Sequence, residues 1–335
     1  CIGWFMSHKL IDGFGRTINN LRISVTDQCN FRCIYCMPEE GMVFMPREEI
    51  LTFEEITRFA TIAARLGINK LRLTGGEPTL RKDLQVLIRM LADIPGINDI
   101  GMTTNGFLLK KMARQLREAG LPRINVSIDT LDHVKFREMT RRDALDRVLE
   151  GLEEAEKYFQ LPIKINAVAM KEYTEDELVD FAALARSKPY QVRFIEYMPL
   201  DADRTWSRDQ VLTGKEIIDR IDSVWPLAPV ERPNQREPAD LFQFEDGEGE
   251  IGLIASVSEP FCGSCNRIRI TAEGKLRTCL FSLDEIDIKS LLRTDASDDV
   301  ISETIIEAVG NKEAGHQIND PDFIQPERSM SSIGG

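Results

Sequence analysis

The chain runs to 335 residues, 42% hydrophobic and 29% charged, a balance that supports a large buried core and excludes disorder as the default state. Its net charge of -13 excludes an extended basic face for nucleic acid or for an anionic membrane. No apolar run reaches the roughly 18 to 20 residues of a membrane-spanning helix, and even 62–73 is broken by Arg65, Lys70 and Arg72.

The start, from Cys1 through Met6 to Ser7, His8 and Lys9, is apolar but lacks a basic leader and a cleavage site, so a cytoplasmic protein is expected. A strand is predicted over 21–25, and Cys29, Cys33 and Cys36 follow it within eight residues. Three thiolates so close in one loop can wrap one metal centre. On a 4Fe-4S cubane they would leave one iron open, which suits catalysis better than structure. A structural zinc site would need a fourth Cys or His, and His8 and His133 are distant in sequence.

A helix is predicted from Thr52, with Glu55 at capping-box spacing, through Ile56, Phe59, Ala60 and Ala63 to a stop at Gly67. Strands at 70–73, 100–103, 124–127, 163–168 and 192–195 then alternate with helical patterns at 83–92, 108–119, 142–159 and 175–186. Six alternations imply right-handed βαβ units and a parallel sheet, either curled into a partial barrel or open and doubly wound. In both, functional groups belong on loops at the carboxyl ends of the strands. Gly75-Gly76, after the second strand, reads on its own as a tight turn.

After residue 225 the alternation stops. Pro226, Pro229, Pro233 and Pro238 punctuate a loop-rich stretch, and short strands at 241–244, 251–256 and 267–271 follow, a smaller α+β region. It carries Cys262, Cys265 and Cys279. On spacing alone this second trio suits structural zinc and an iron-sulfur cluster about equally. Arg267 and Arg269 tilt it towards a site that holds an anion against an incompletely ligated metal. Cys1 belongs to neither trio, and His8, His133 and His316 have no partner that marks them as ligands.

The C-x3-C-x2-C pattern of the first trio, with Phe31 and Tyr35 between the ligands, resembles the hallmark of radical S-adenosylmethionine (SAM) enzymes. Residues Thr74 to Pro78 resemble that superfamily's glycine-rich loop for the SAM amino group. Within it, Leu21 to Asp27, Thr103 to Gly106, Arg123 to Ser127, Arg193 to Pro199, the second trio with its arginines and the closing Ile333-Gly334-Gly335 resemble the GTP 3',8-cyclase family from about Leu10 onward. Gln28 departs mildly, standing where a basic residue is common.

The resemblance implies an incomplete (β/α)6 TIM-like barrel over 20–225, a cluster-binding region over 226–320 and a tail over 321–335, after an N-terminal 1–19. It implies two 4Fe-4S clusters, one on each trio, and a deoxyadenosyl radical that takes hydrogen from ribose C3' of GTP before that carbon attacks guanine C8. SAM is then expected at Tyr35, Gly76, Glu77, Ser127 and Met198, and GTP at Arg22, Lys70, Arg72, Thr103, Lys164, Arg193, Arg267 and Arg269. Arg267, Arg269, Gly334 and Gly335 are expected to act in catalysis. Arg22, Lys70, Arg72, Lys164 and Arg193 interrupt apolar strands, so each points to solvent or into a lumen, where a triphosphate would satisfy several together. For Lys70 taken alone, a surface charge or an internal ion pair is the favoured reading. An electron donor, a downstream cyclic pyranopterin monophosphate synthase and a homodimer complete the expected partners, with no nucleic acid and no membrane. Two other readings stand beside this one: a radical SAM peptide-modifying enzyme with an auxiliary cluster, and a zinc-binding interaction protein.

Overall fold

Along the early strands every second side chain is apolar and fully buried, as in Leu21, Ile23, Leu71, Leu73, Ile100, Met102, Ile124 and Val126. The residues between them, Asn20, Arg22, Lys70, Arg72, Asp99, Thr103 and Arg123, stay partly exposed. Because side chains alternate across a strand, this pattern gives each strand one apolar and one polar face. The apolar faces and the helices that cover them form one continuous core. The computed structural model describes residues 9–40, 42–231, 237–294 and 296–334. Cys1, the rest of 1–6, His8, Pro233 and Gly335 lie outside the described residues.

The strands β1 (Asn20–Ser24), β2 (Lys70–Thr74), β3 (Asp99–Thr104), β4 (Arg123–Ser127), β5 (Ile163–Ala169) and β6 (Tyr190–Glu196) pair in parallel in sequence order. The helices α1 (Phe53–Arg65), α2 (Leu84–Ala92), α3 (Leu109–Glu118), α5 (Leu145–Glu156) and α7 (Leu178–Ser187) answer the predicted helical patterns. The capping box of α1 is formed as predicted, with Thr52 and Glu55 each bonding the other's backbone N–H. The sequence reading missed α4 (His133–Thr140), the single turn α6 (Lys171–Thr174) and α8 (Gly214–Asp222).

The chain after 226 does not build a separate sheet. Strands β7 (Leu227–Val230), β8 (Asp240–Phe244) and β9 (Glu250–Ile254) extend one edge, with β9 parallel to β6. Strands β10 (Arg267–Ile270), β11 (Lys275–Arg277) and β12 (Ile286–Asp287) extend the other, with β10 parallel to β1. Among the described residues the sheet has twelve strands in the order β12-β11-β10-β1-β2-β3-β4-β5-β6-β9-β8-β7, so it is not closed. Helices α9 (Ile288–Arg293), α10 (Asp298–Gly310) and α11 (Met330–Ile333) complete the chain.

In a flat sheet, β2 and β6 would stand about 19 Å apart, four strand spacings of about 4.8 Å. Arg72 on β2 nevertheless feels Arg193 on β6 and Glu237 beyond it, so the sheet curls and its polar faces meet in a lumen. This is the predicted incomplete TIM-like barrel. Among the described residues no helix is long and apolar enough to cross a membrane.

Candidate active site

The first trio sits on the loop after β1, and the missed α4 holds that loop in place. The backbone N–H groups of Arg32 and Ile34 donate to the carbonyls of Thr140 and Met139, both at 2.9 Å, at the end of α4. Arg141 returns the contact, donating to the carbonyls of Arg32 and Met37 at 3.0 and 3.1 Å. Phe31 packs edge-on between Phe107 and Phe136 with 5.8 Å between ring centroids, anchoring the turn between Cys29 and Cys33. Cys29 Sγ accepts from the Phe31 N–H at 3.4 Å.

The three thiols are free and half-buried. Burial pushes Cys29 up to about 11 and Cys36 up to about 12, and drives Cys33 well above its usual value. Cys29 and Cys36 add repulsion at Cys33, and Cys29 does so at Cys36. A trio so reluctant to ionise alone, on one loop, has the donor chemistry of a site completed by cations, since a bound metal deprotonates a thiol outright. Among the described residues no three His, Cys, Asp or Glu groups converge as tightly as the ligands of one metal ion.

The Thr74 to Pro78 loop packs directly on the first cysteine loop. Gly76 N–H donates to Thr26 O and Glu77 N–H to Gln28 O, both at 2.7 Å. A Cβ on Gly76 would stand 2.4 Å from Gln28 O, and one on Gly75 2.7 Å from Thr26 O, so only glycine permits this approach. Both Glu77 carboxylate oxygens are taken by protein donors: Thr79, the Thr104 hydroxyl at 2.7 Å and the Asn105 N–H at 2.7 Å. Burial raises its pKa. Glu77 thus sets the Asn105 loop, whose amide reaches Asn30 at 2.9 Å. The Tyr35 hydroxyl donates to Asp129 at 2.6 Å. Ser127 stands at the carboxyl end of β4, and Met198 lies just past β6 among Leu200, Val211, Val257 and Ile333.

Pairing register gathers the predicted cations. Arg22 stands opposite Arg72 on one side and Arg269 on the other, Asn20 is flanked by Lys70 and Arg267, and Lys164 lies opposite Asn125. Arg72 reaches across β3 to donate to Asn125 at 3.1 Å. Burial depresses Arg22, Arg72, Lys164, Arg193 and Arg269, followed by a neighbouring cation for the first three, while Glu237 at Arg193 and Cys279 at Arg269 partly oppose it. Arg22 falls well below the usual arginine value, Arg72, Arg193 and Arg269 fall to about 10, and Lys164 falls to about 8. Arg193 has Glu237 at 3.8 Å, yet among the described residues no ion pair engages Arg22, Lys70, Arg72, Lys164, Arg267 or Arg269. Thr103 borders the same lumen on β3.

The second trio lies at the far side of Arg22. Cys262 and Cys265 bracket a short turn leading into β10, Cys279 follows β11, and Arg267 stacks over Phe261 at 4.9 Å. The tail then returns between the trios. Ser331 donates to Cys36 O at 3.2 Å, and Gly334 O accepts from Arg269 at 3.2 Å and from Thr74 at 3.3 Å. Gly335, expected to act in catalysis, lies outside the described residues. His133 contacts Asp146 at the surface and His316 stacks on Phe281.

Sequence reasoning missed two glycines that make room for these arginines. A Cβ on Gly101 would stand 2.7 Å from Arg72 Nη1, and one on Gly252 2.8 Å from Arg193 Cγ. Only the register, Arg72 beside Gly101 and Arg193 beside Gly252, exposes the relation.

Residues 23–185 match the Radical SAM superfamily, and residues 190–318 match the Molybdenum Cofactor Synthesis C family. A GTP 3',8-cyclase of Rhodopirellula baltica is 47% identical over 97% of this chain and 92% of its own length. One from Thermodesulfovibrio yellowstonii is 47% identical over 97% and 99%, and one from Mycobacterium marinum 44% over 97% and 92%. Among solved structures, SuiB of Streptococcus suis bound to S-adenosylmethionine has a TM-score of 0.59 at 14% identity, covering 95% of this chain and 77% of its own. At that identity the likeness shows a shared fold.

Proposed function

The chain belongs to the GTP 3',8-cyclase family of radical SAM enzymes, and from that premise we propose how its residues convert GTP to 3',8-cyclo-7,8-dihydro-GTP, the first step of molybdenum cofactor biosynthesis, as a lyase. The observation that carries the proposal is the row of cations, Arg22, Lys70, Arg72, Lys164, Arg267 and Arg269, that have no carboxylate ion pair among the described residues. Buried unpaired charge is costly, and a polyanion removes that cost at several residues together. Arg22, Lys70, Arg72, Lys164 and Arg193 hold the triphosphate, and Thr103, Arg267 and Arg269 orient the nucleoside. A peptide substrate would leave these cations unmatched.

Cys29, Cys33 and Cys36 would hold a 4Fe-4S cluster, which would supply SAM binding and the electron that splits SAM. The chain's residues fix where that happens. Tyr35, Gly76, Glu77, Ser127 and Met198 bound the SAM pocket, with Glu77 acting through the Asn105 loop. Cys262, Cys265 and Cys279 would hold a second 4Fe-4S cluster, which would supply a binding face for GTP. Arg269, joined to Gly334, closes the space between, and the tail keeps water from the ribose. In this scheme 20–225 carries SAM chemistry and 226–320 the second cluster. The six free cysteines among the described residues suit a reducing cytoplasm. The proposed activity calls in addition for an external electron donor and a downstream cyclic pyranopterin monophosphate synthase, and a homodimer is proposed as the working unit.

Anaerobically reconstituted, reduced protein incubated with SAM and GTP is expected to yield an 8-cyclised nucleotide together with 5'-deoxyadenosine. Deoxyadenosine without any cyclised nucleotide would overturn the substrate. Zinc without acid-labile sulfide would overturn the chemistry.

A further inference from the structure

Lys312, just beyond α10, is 3% exposed, and among the described residues no carboxylate pairs with it. Its ammonium donates to the carbonyl of Thr278, the residue before Cys279. The neighbouring Glu313 carboxylate feels the ammonium without pairing with it, and accepts instead from the hydroxyls of Thr278 at 2.7 Å and Ser282. A buried ammonium bonded only to a neutral carbonyl, its neighbouring carboxylate engaged by hydroxyls, is left with charge that a further anion beside it would satisfy.

The same segment grips the other limb of the second trio. Arg16, 8% exposed, donates to Cys262 O at 2.9 Å, Ala314 O at 2.6 Å and Glu313 O at 2.5 Å, and it is fixed by the Asp12 carboxylate at 2.5 Å. A Cβ on Gly315 would stand 2.8 Å from Cys262 Cβ and 3.1 Å from its Sγ, so the chain lies directly on that ligand. Residues 312–315 therefore tie the Cys262 limb to the Cys279 limb, and the one buried charge in the tie faces the thiols. Lys312 lies within electrostatic reach of both Cys265 and Cys279.

We propose that Lys312 is a positioning residue of the second cysteine trio, its ammonium supplying the counter-charge to the anionic group those three thiolates hold. The inference rests on the two-cluster reading. Reduction adds an electron to a cluster already negative through its thiolates, so a fixed cation nearby favours the reduced state and raises the midpoint potential.

The test compares anaerobically reconstituted wild type, K312M and K312R by iron and sulfide content and by potentiometric EPR, with SAM and GTP added separately to identify each cluster. K312M is expected to shift the second midpoint to a more negative potential or to lose that cluster's iron. K312R should stay near wild type, and the first midpoint should be unchanged in both. K312Q serves where the methionine variant does not fold. A second midpoint and iron content unchanged in the charge-removed variant, or a loss in K312R equal to that in K312M, overturns the proposal. A wild-type chain that holds one cluster only would instead remove the reading beneath it.

Discussion

Arg72 shows how one side chain's position depends on a residue that carries no chemistry. Its guanidinium crosses β3 because Gly101 has no side chain, and it ends on Asn125. Gly101→Ala would place a methyl 2.7 Å from Nη1, and the far end of a flexible side chain yields easily, so stability should hardly change while the cation moves. GTP affinity, measured by anaerobic equilibrium dialysis, is expected to fall about tenfold, the order of one lost charge-assisted hydrogen bond. Unchanged affinity would remove Arg72 from the triphosphate site. Lys164 adds a pH dependence. Burial, followed by Arg193, lowers its pKa to about 8 against the ordinary 10.5. The unfolded chain therefore binds more protons between about 8 and 10.5, and this group's contribution to stability rises with pH across that window. A bound triphosphate favours the ammonium again, so GTP binding should take up a proton near pH 8 and weaken above it. Calorimetry in buffers of different ionisation enthalpy reads that uptake, which K164Q should abolish.

Single elements were legible where local chemistry alone decides them. Thr52 and Glu55 mark the start of α1 because the capping box needs no partner beyond its own turn, and Thr52→Ala should cost about 1 kcal/mol in urea unfolding of the metal-free chain. Helix α4 was not legible, since only Phe136, Met139 and Thr140 of its eight residues are buried and its purpose lies in distant contacts with the cysteine loop. The cysteines, the glycine loop and the lumen cations were visible as residue types, whereas Gly101, Gly252, Arg16 and Lys312 acquire meaning only through register or burial. Helix α11 is of the second kind. Ile333 is fully buried with Leu200, Val211 and Val257, and it sets Ser331 against Cys36 and Gly334 against Arg269. Ile333→Ala, removing a packed side chain worth about 2–5 kcal/mol, should loosen the tail. The ratio of 5'-deoxyadenosine to cyclised nucleotide should then rise, and a ratio equal to wild type would show that the tail's seating does not matter to coupling.

At the scale of the whole molecule, the change of pattern at residue 225 marks a change of connectivity inside one sheet. The later strands cover both edges of the six-stranded half, β10 on β1 and β9 on β6, and β10 brings Arg267 and Arg269 to the lumen. Without them, β1 and β6 would present two rows of unpaired backbone donors and acceptors beside apolar faces, the arrangement that drives edge-to-edge association. Residues 1–225 produced alone are therefore expected to aggregate in size-exclusion chromatography, and any monomer recovered should bind GTP far more weakly than the full chain. A monomeric fragment with full GTP affinity would mean that the first half closes its own lumen, and that the cations on β10 are not part of the nucleotide site.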